Sequence, residues 1–167
     1  MPDHADIFDR PKQDHDLQRA LLAQLQAANG EEREALFVRL TKEIKAHALA
    51  EEQALYSTML RKPETTEETR HSVAEHKEID DLLNDLAATD SRTGEWSAKF
   101  EHLAHRYTHH IDEEEEEKFP KAREAIDQAK AIELRAEFNA RKPEEVERVE
   151  AGTDVPEIKK AIAEEAE

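Results

Sequence analysis

The stretch that decides the fold is residues 96–114, which read WSAKFEHLAHRYTHHIDEE. Residues alternately four and three positions apart form one face of this stretch, which is the spacing of a buried helix seam in a bundle. That face consists of Trp96, Phe100, Leu103, Tyr107, His110 and Glu114. Its last two positions are polar where the seam requires apolar residues. The stretch therefore predicts a bundle helix whose buried face ends in a histidine and a glutamate.

A second stretch of the chain repeats this pattern. Its seam consists of Phe37, Leu40, Ile44, His47, Glu51 and Leu55. Residues four apart on a helix face the same way, so His47 and Glu51 form a pair like His110 and Glu114. Each pair offers one imidazole and one carboxylate to the interior of the bundle.

The rest of the sequence predicts an all-α fold. Long tracts of strong helix formers lie between short Gly- or Pro-containing breaks, and no segment has the alternation of a strand. Four helices are expected over residues 9–28, 31–60, 66–88 and 95–118. Their length and short connections predict an up-down-up-down four-helix bundle.

A fifth helix is expected after Pro120 and is predicted to end near Arg141. Residues 1–142 are then the bundle with this additional C-terminal helix. Residues 143–167 are acidic and have few apolar anchors, so we expect a mobile tail with at most a short helix over residues 158–162.

Composition excludes several classes of partner and site. The chain has 24 Lys and Arg against 41 Asp and Glu, a formal net charge of −17, so neither nucleic acid nor an anionic membrane surface is an expected partner. There is no cysteine, so a metal must be held by imidazole and carboxylate. The N-terminus lacks an apolar signal region and no stretch approaches ~20 apolar residues, from which we expect a cytoplasmic protein.

The two His/Glu pairs point to a metal site. One such pair is usually a solvated surface contact, but burying two carboxylates without a compensating charge costs several kcal/mol each, so a cation explains both pairs. The first and third helices each add one inward histidine. The candidate ligands are His15, His47, Glu51, His76, His110 and Glu114. Glu52 and Asp80 are expected to hold imidazole N–H groups from outside the ligand set.

The number of donors suggests two metal ions. If both carboxylates bridge and each ion takes two histidines, each ion has four protein ligands, fewer than the six of octahedral iron. The open positions suit a bridging oxygen atom and a small exogenous ligand. Imidazole and carboxylate donors suit iron, although zinc or manganese fits the same donors. His71, His105 and His109 have ligand spacing but lie outside the seams.

The joint pattern resembles the bacterial hemerythrin-like HHE cation-binding domain. The matching motifs are Asp14-His15, His47-Ala48-Leu49-Ala50-Glu51-Glu52, Glu75-His76 and His110-Ile111-Asp112-Glu113-Glu114-Glu115, followed by Phe119-Pro120. The resemblance implies a four-helix bundle with a non-haem di-iron centre that meets oxygen, nitric oxide or peroxide. It also implies that the four histidines are terminal ligands and that Glu51 and Glu114 bridge the two iron ions.

Oxygen-carrying hemerythrins have a different pattern. They carry a second histidine four residues from the one on the third helix, and an aspartate ligand five residues after the last histidine. Here Ser72 and Asp80 flank His76, and Glu114 follows His110 at four. The resemblance is therefore to the HHE branch, and it does not imply reversible oxygen carriage.

Two functional hypotheses follow from these residues. In the first, a redox-active di-iron site binds or turns over oxygen, peroxide or nitric oxide at its open positions, which requires access from solvent. In the second, the protein is a non-enzymatic iron sensor or iron buffer, and the metal chiefly holds the helices together. The first is the preferred hypothesis.

Overall fold

A computed structural model of the chain describes residues 5–151, which are almost entirely helical and contain no β-strand. In chain order the helices are α1 (Arg10–Ala27), α2 (Gly30–Glu51), α3 (Ser57–Met59), α4 (Thr66–Ala87), α5 (Gly94–Glu113), α6 (Phe119–Ala125) and α7 (Gln128–Ala151). A π-helical turn, Glu52–Tyr56, joins α2 to α3, and another, Glu114–Lys118, joins α5 to α6. The predicted all-α four-helix bundle is confirmed, with α2 and α3 forming one long helix and α5 and α6 another.

Local sequence signals fix where the bundle helices begin. Pro11 lies in the first turn of α1, where its missing N–H costs nothing. Gly30 has φ 59°, a left-handed conformation that favours glycine, at the junction of α1 and α2. The Thr93 side chain accepts a hydrogen bond from the Trp96 amide and so caps α5.

Two apolar clusters form the core. One contains the seam residues Leu40, Ile44, Trp96, Phe100, Leu103 and Tyr107 together with Leu21, Leu22, Leu25, Ile79, Leu83, Leu86 and Ile111. The other joins the ends of the long helices to α7 and contains Ile7, Phe8, Ala50, Ala54, Leu55, Tyr56, Met59, Phe119, Ala122, Ile126, Ala131, Leu134 and Phe138. In chain order, His15 lies between Phe8 and Leu21, His47 between Ile44 and Ala50, and Glu114 between Ile111 and Phe119, each pair taking one residue from each cluster. A polar layer therefore separates the two apolar regions.

The π-helical turns begin directly after Glu51 and Glu114. The amide of Ser57 donates to the carbonyl of Glu52, and the amide of Phe119 donates to that of Glu114, each five residues back along the chain. Such turns carry one extra residue relative to an α-helix and are frequent at functional sites.

The C-terminal part of the fold differs from the sequence prediction in two ways. Helix α6 continues α5 through Pro120, whereas the separate fifth helix begins only at Gln128. Pro120 is tolerated because it lies in the first turn after the π-helical turn. The predicted end near Arg141 is also wrong, since α7 runs on to Ala151.

The extension of α7 past Pro143 is held against the bundle. Past the proline, Val149 is buried and Glu150 pairs with Lys42 of α2 at 4.0 Å. Just before the proline, Lys142 pairs with Glu43 of α2 at 2.5 Å. Residues 143–151 are therefore helical, although the division of the chain at residue 142 stays a prediction. The predicted short helix over residues 158–162 lies outside the described residues. None of the helices in residues 5–151 has the length and hydropathy of a membrane span.

Candidate metal centre

The six predicted ligands come together inside the bundle. Donor atoms of His15, His47 and Glu51 lie within 4.8 Å of one another, and so do those of Glu51, His76 and His110. All of these residues are buried. We call His15 and His47 the first half of the centre, and His76 and His110 the second half. Glu51 belongs to both groups of donors.

Both glutamates lie between the halves. Glu51 is 3.5 Å from Nε2 of His47 through Oε2 and 3.2 Å from Nε2 of His76 through Oε1. Glu114 Oε1 is 3.6 Å from Nε2 of His15 and 3.3 Å from Nε2 of His110. Each carboxylate therefore faces one imidazole of each half, which is the arrangement that a bridging ligand requires.

Each of the four imidazoles of the centre directs Nε2 inward and Nδ1 to a carboxylate. The Nδ1–oxygen distances are 2.6 Å for His15 with Glu115, 2.9 Å for His47 with Asp14, 3.1 Å for His76 with Glu52 and 2.9 Å for His110 with Glu75. A carboxylate on the outer nitrogen fixes the tautomer and ring orientation of a metal-binding histidine. The Nε2 atoms are thereby oriented to act as metal-donor atoms.

The outer carboxylates were only partly predicted from sequence. Glu52 holds His76 as expected, but Asp80 is 3.4 Å from Lys45 and makes no hydrogen bond to an imidazole within residues 5–151. Sequence reasoning missed Asp14, Glu75 and Glu115. Each of these is the chain neighbour of a predicted ligand, and that adjacency is the signal that identifies them.

Opposite charges hold the centre together. Burial alone lowers the pKa of His47, but the carboxylates of Glu51 and Asp14 outweigh it and raise that pKa to about 9. His76 is also buried, and Glu51 and Glu52 raise its pKa to about 10. Burial alone raises the pKa of Glu51, but His47 and His76 hold it well below its usual value. A cation bound at the inner face would displace the Nε2 protons of these imidazoles.

Two aromatic rings cover the centre, one on each half. Tyr56 stacks on His76 with 5.1 Å between ring centroids, and Phe119 stacks on His15 at 6.4 Å. The Tyr56 hydroxyl also donates a hydrogen bond to Glu114 Oε2. Burial, together with the charges of Glu114 and Glu51, raises the pKa of Tyr56 well above its usual value, so the hydroxyl keeps its proton. Neither ring was assigned to the site from the sequence. Each ring follows its glutamate by five residues, whereas α-helical spacing places in the seam the residue that follows the glutamate by four.

The donor atoms that face inward fit a metal ion. Within residues 5–151, five buried donor atoms of the centre have no hydrogen-bond partner, namely Nε2 of His15, Nε2 of His47, both carboxylate oxygens of Glu51 and Oε1 of Glu114. Leaving such atoms unpaired costs ~1–3 kcal/mol each, and more for charged groups. Convergent imidazole and carboxylate donors without partners are what a first-row transition metal binds.

A cavity of about 170 Å³ reaches the second half from the surface between α2 and α4. Its wall includes His76, Glu52, Lys45 and Asp80. The first half is covered instead by α7, whose Phe138 ring lies 5.8 Å from that of His47. Three further histidines, which were predicted to lie outside the seams, are exposed on the outer faces of α4 and α5. They are His71, His105 and His109.

Fold and site together define a helical-bundle metal-binding protein. The sequence profile of the family described as the Hemerythrin HHE cation binding domain matches residues 6–122, and the chain belongs to that family. A crystal structure of a Hemerythrin HHE cation binding domain-containing protein from Mycobacterium kansasii matches with a TM-score of 0.80. It is 22% identical, and the match covers 94% of this chain and 99% of that one, which supports the fold. A comparison with curated protein sequences finds no match.

Proposed function

We propose that this chain binds two iron ions at His15, His47, Glu51, His76, His110 and Glu114, and that it binds or reacts with oxygen, peroxide or nitric oxide there. The observation that carries the proposal is the set of five buried donor atoms without a hydrogen-bond partner, which belong to His15, His47, Glu51 and Glu114. The donors form two groups that share Glu51, one with His15 and His47 and one with His76 and His110, so two ions fit them best.

The chain's own groups prepare the site for this chemistry. The outer carboxylates hold each Nδ1 proton and leave Nε2 as the inner donor. The Tyr56 hydroxyl engages one oxygen of Glu114 and leaves Oε1 facing His15 and His110. Phe119 and Phe138 exclude water from the first half. When bound, the iron ions supply the redox chemistry, because they cycle between Fe(II) and Fe(III).

The cavity that His76 lines favours the binding of a small ligand at the second half of the centre. His76 lies in the wall of the 170 Å³ cavity, whose size admits a diatomic molecule or peroxide. We therefore propose that the exogenous ligand approaches the centre beside His76.

Anaerobic iron loading followed by optical spectroscopy tests the proposal. The reduced protein should change its spectrum on adding oxygen, peroxide or nitric oxide separately, and the oxidised protein should change on adding azide. His76→Ala and Glu114→Ala should abolish these changes, whereas the exposed pair His102→Ala/His105→Ala on α5 should leave them intact. An iron-loaded protein that responds to none of the four would contradict the open site and favour the iron-buffering hypothesis. Sustained peroxide decomposition would identify an enzyme, and a single oxidation a sensor or store.

A further inference from the structure

Two further His-x-x-x-Glu pairs face each other on the outside of the bundle. His71 and Glu75 lie on α4, and His109 and Glu113 lie on α5. His71 Nε2 is 3.6 Å from Glu75 Oε2 and 4.0 Å from Glu113 Oε1, while His109 Nε2 is 3.1 Å from Glu113 Oε2. Both imidazoles therefore approach carboxylate oxygens at the junction of the two helices.

Three of the four residues of this outer cluster have donor atoms that converge, and His109 joins them through Glu113 Oε2. His71, Glu75 and Glu113 each place one ligand atom within 4.8 Å of the other two. The glutamates are largely buried, with side chains 7% and 21% exposed, whereas the His71 and His109 side chains are 58% and 57% exposed. Two fixed carboxylates thus stand beside two imidazoles that are free to adjust from solvent.

Lys118 contacts both carboxylates of the outer cluster and fixes their orientation. Its ammonium group donates to Ser72 at 2.7 Å and lies 3.2 Å from Glu75 Oε1 and 3.5 Å from Glu113 Oε1. It therefore engages the Oε1 atom of each glutamate, and the Oε2 atoms remain directed at His71 and His109. The lysine also compensates one of the two negative charges, which leaves a net charge of −1 for a cation to meet.

We propose that His71, Glu75, His109 and Glu113 bind one divalent first-row transition-metal ion at the surface junction of α4 and α5. Mixed imidazole and carboxylate donors suit Fe²⁺, Co²⁺ or Zn²⁺ better than Mg²⁺ or Ca²⁺, which take oxygen ligands. The proposal goes beyond the buried centre and does not depend on any reaction with oxygen or peroxide.

The outer site is linked to the buried centre through Glu75. Its Oε1 accepts the hydrogen bond from His110 Nδ1 at 2.9 Å, while its Oε2 faces His71. Glu75, His109 and Glu113 also each precede a predicted inner ligand by one position in the chain. An ion captured at the surface thus shares a carboxylate with a histidine of the buried centre.

A metal titration of the full chain tests this site. Zn²⁺ is titrated calorimetrically into wild type, His71→Ala/His109→Ala and the control His102→Ala/His105→Ala, which removes two exposed histidines from α5 alone. Wild type and control should bind one more ion per chain than the His71/His109 variant. Because changing a single outer partner of a ligand costs about 10–100-fold in affinity, loss of two ligands should weaken the outer site by at least that factor.

The difference in stoichiometry between the two double variants is the decisive quantity. It isolates the outer site whether or not the buried centre also takes Zn²⁺, so failure here is distinct from failure of the iron centre. Circular dichroism should show equal helicity, since all four substituted side chains are exposed. Equal stoichiometry and affinity in the two double variants would overturn the proposal.

Discussion

The two halves of the centre have the same inner arrangement and different surroundings. In each half one imidazole faces an oxygen of Glu51 and the other faces an oxygen of Glu114. The ring centroids are 5.1 Å apart in the first half and 4.9 Å apart in the second. Phe138 and Phe119 enclose the first half. In the second half, Tyr56 stacks on His76, and His76 lines a cavity that opens to the surface. The first half is therefore enclosed by aromatic side chains, whereas the second half borders a cavity that opens to the surface.

The largest effect should follow from removing the residue that joins the halves. Glu51 faces His47 and His76, so Glu51→Ala should lose both metal ions rather than one. Glu52→Ala removes only the outer partner of His76 and should weaken binding about 10–100-fold without abolishing it. Elemental analysis of protein purified without chelators measures the difference. If the Glu51→Ala variant retained two ions, Glu51 would not be a metal ligand of the centre.

The enclosed half should depend strongly on α7. Phe138 is fully buried against His47, so Phe138→Ala should lower the free energy of unfolding by about 3–5 kcal/mol. Ile132→Ala on the same helix, whose side chain is 44% exposed, should cost far less. Urea denaturation measures both changes. Similar losses in the two variants would mean that α7 does not seal the first half.

The hydroxyl at the open half should affect both stability and reactivity. Tyr56→Phe leaves Glu114 Oε2 without its donor, which should cost about 1–3 kcal/mol and alter the rate of the peroxide reaction. Tyr107→Phe is the matched control, since that buried hydroxyl donates to Gln18 and not to a predicted ligand. The control should lose similar stability and keep its rate, as stopped-flow spectroscopy can show. Unchanged rates in both variants would limit the Tyr56 hydroxyl to a structural role.

The smallest effect on stability should accompany the narrowing of the cavity. Val73 lines it and is 38% exposed, so Val73→Phe should change the free energy of unfolding by no more than about 0.5 kcal/mol while slowing azide binding to the oxidised iron protein. Leu17→Phe on α1 enlarges an equally exposed side chain away from the cavity and should leave the rate unchanged. Equal rates in these two variants would mean that ligands reach the iron by another path.

The helices and seams could be predicted because their signal is local. The alternation of four and three positions, from Trp96 to Glu114, depends only on helix geometry and the need to bury apolar area. The same spacing also predicted that Glu51 and Glu114 lie on the inward faces of their helices, and both side chains are buried in the structure. Their roles as ligands remain predictions for the experiments above.

The features that the sequence did not reveal depend on hydrogen-bond register and on contacts between helices. A π-helical turn brings residues five apart onto one face, so Tyr56 and Phe119 reach the site through a backbone change that has no separate sequence pattern. The Phe119-Pro120 pair suggested a break, yet the helix continues because proline is compatible with a first turn. The length of α7 depends on tertiary pairs such as Lys142 with Glu43.

The four Nδ1 bonds form a closed circuit around the bundle. The second π-helical turn supplies Glu115 to α1, α1 supplies Asp14 to α2, the first π-helical turn supplies Glu52 to α4, and α4 supplies Glu75 to α5. Each long helix thus gives one carboxylate to a neighbour and receives one on its own histidine. Shifting any helix along its axis by a turn breaks a bond on both sides, so competing alignments of the same apolar seams lose two buried contacts at once. The circuit therefore selects a single topology and alignment of the helices from the several that uniform apolar seams permit.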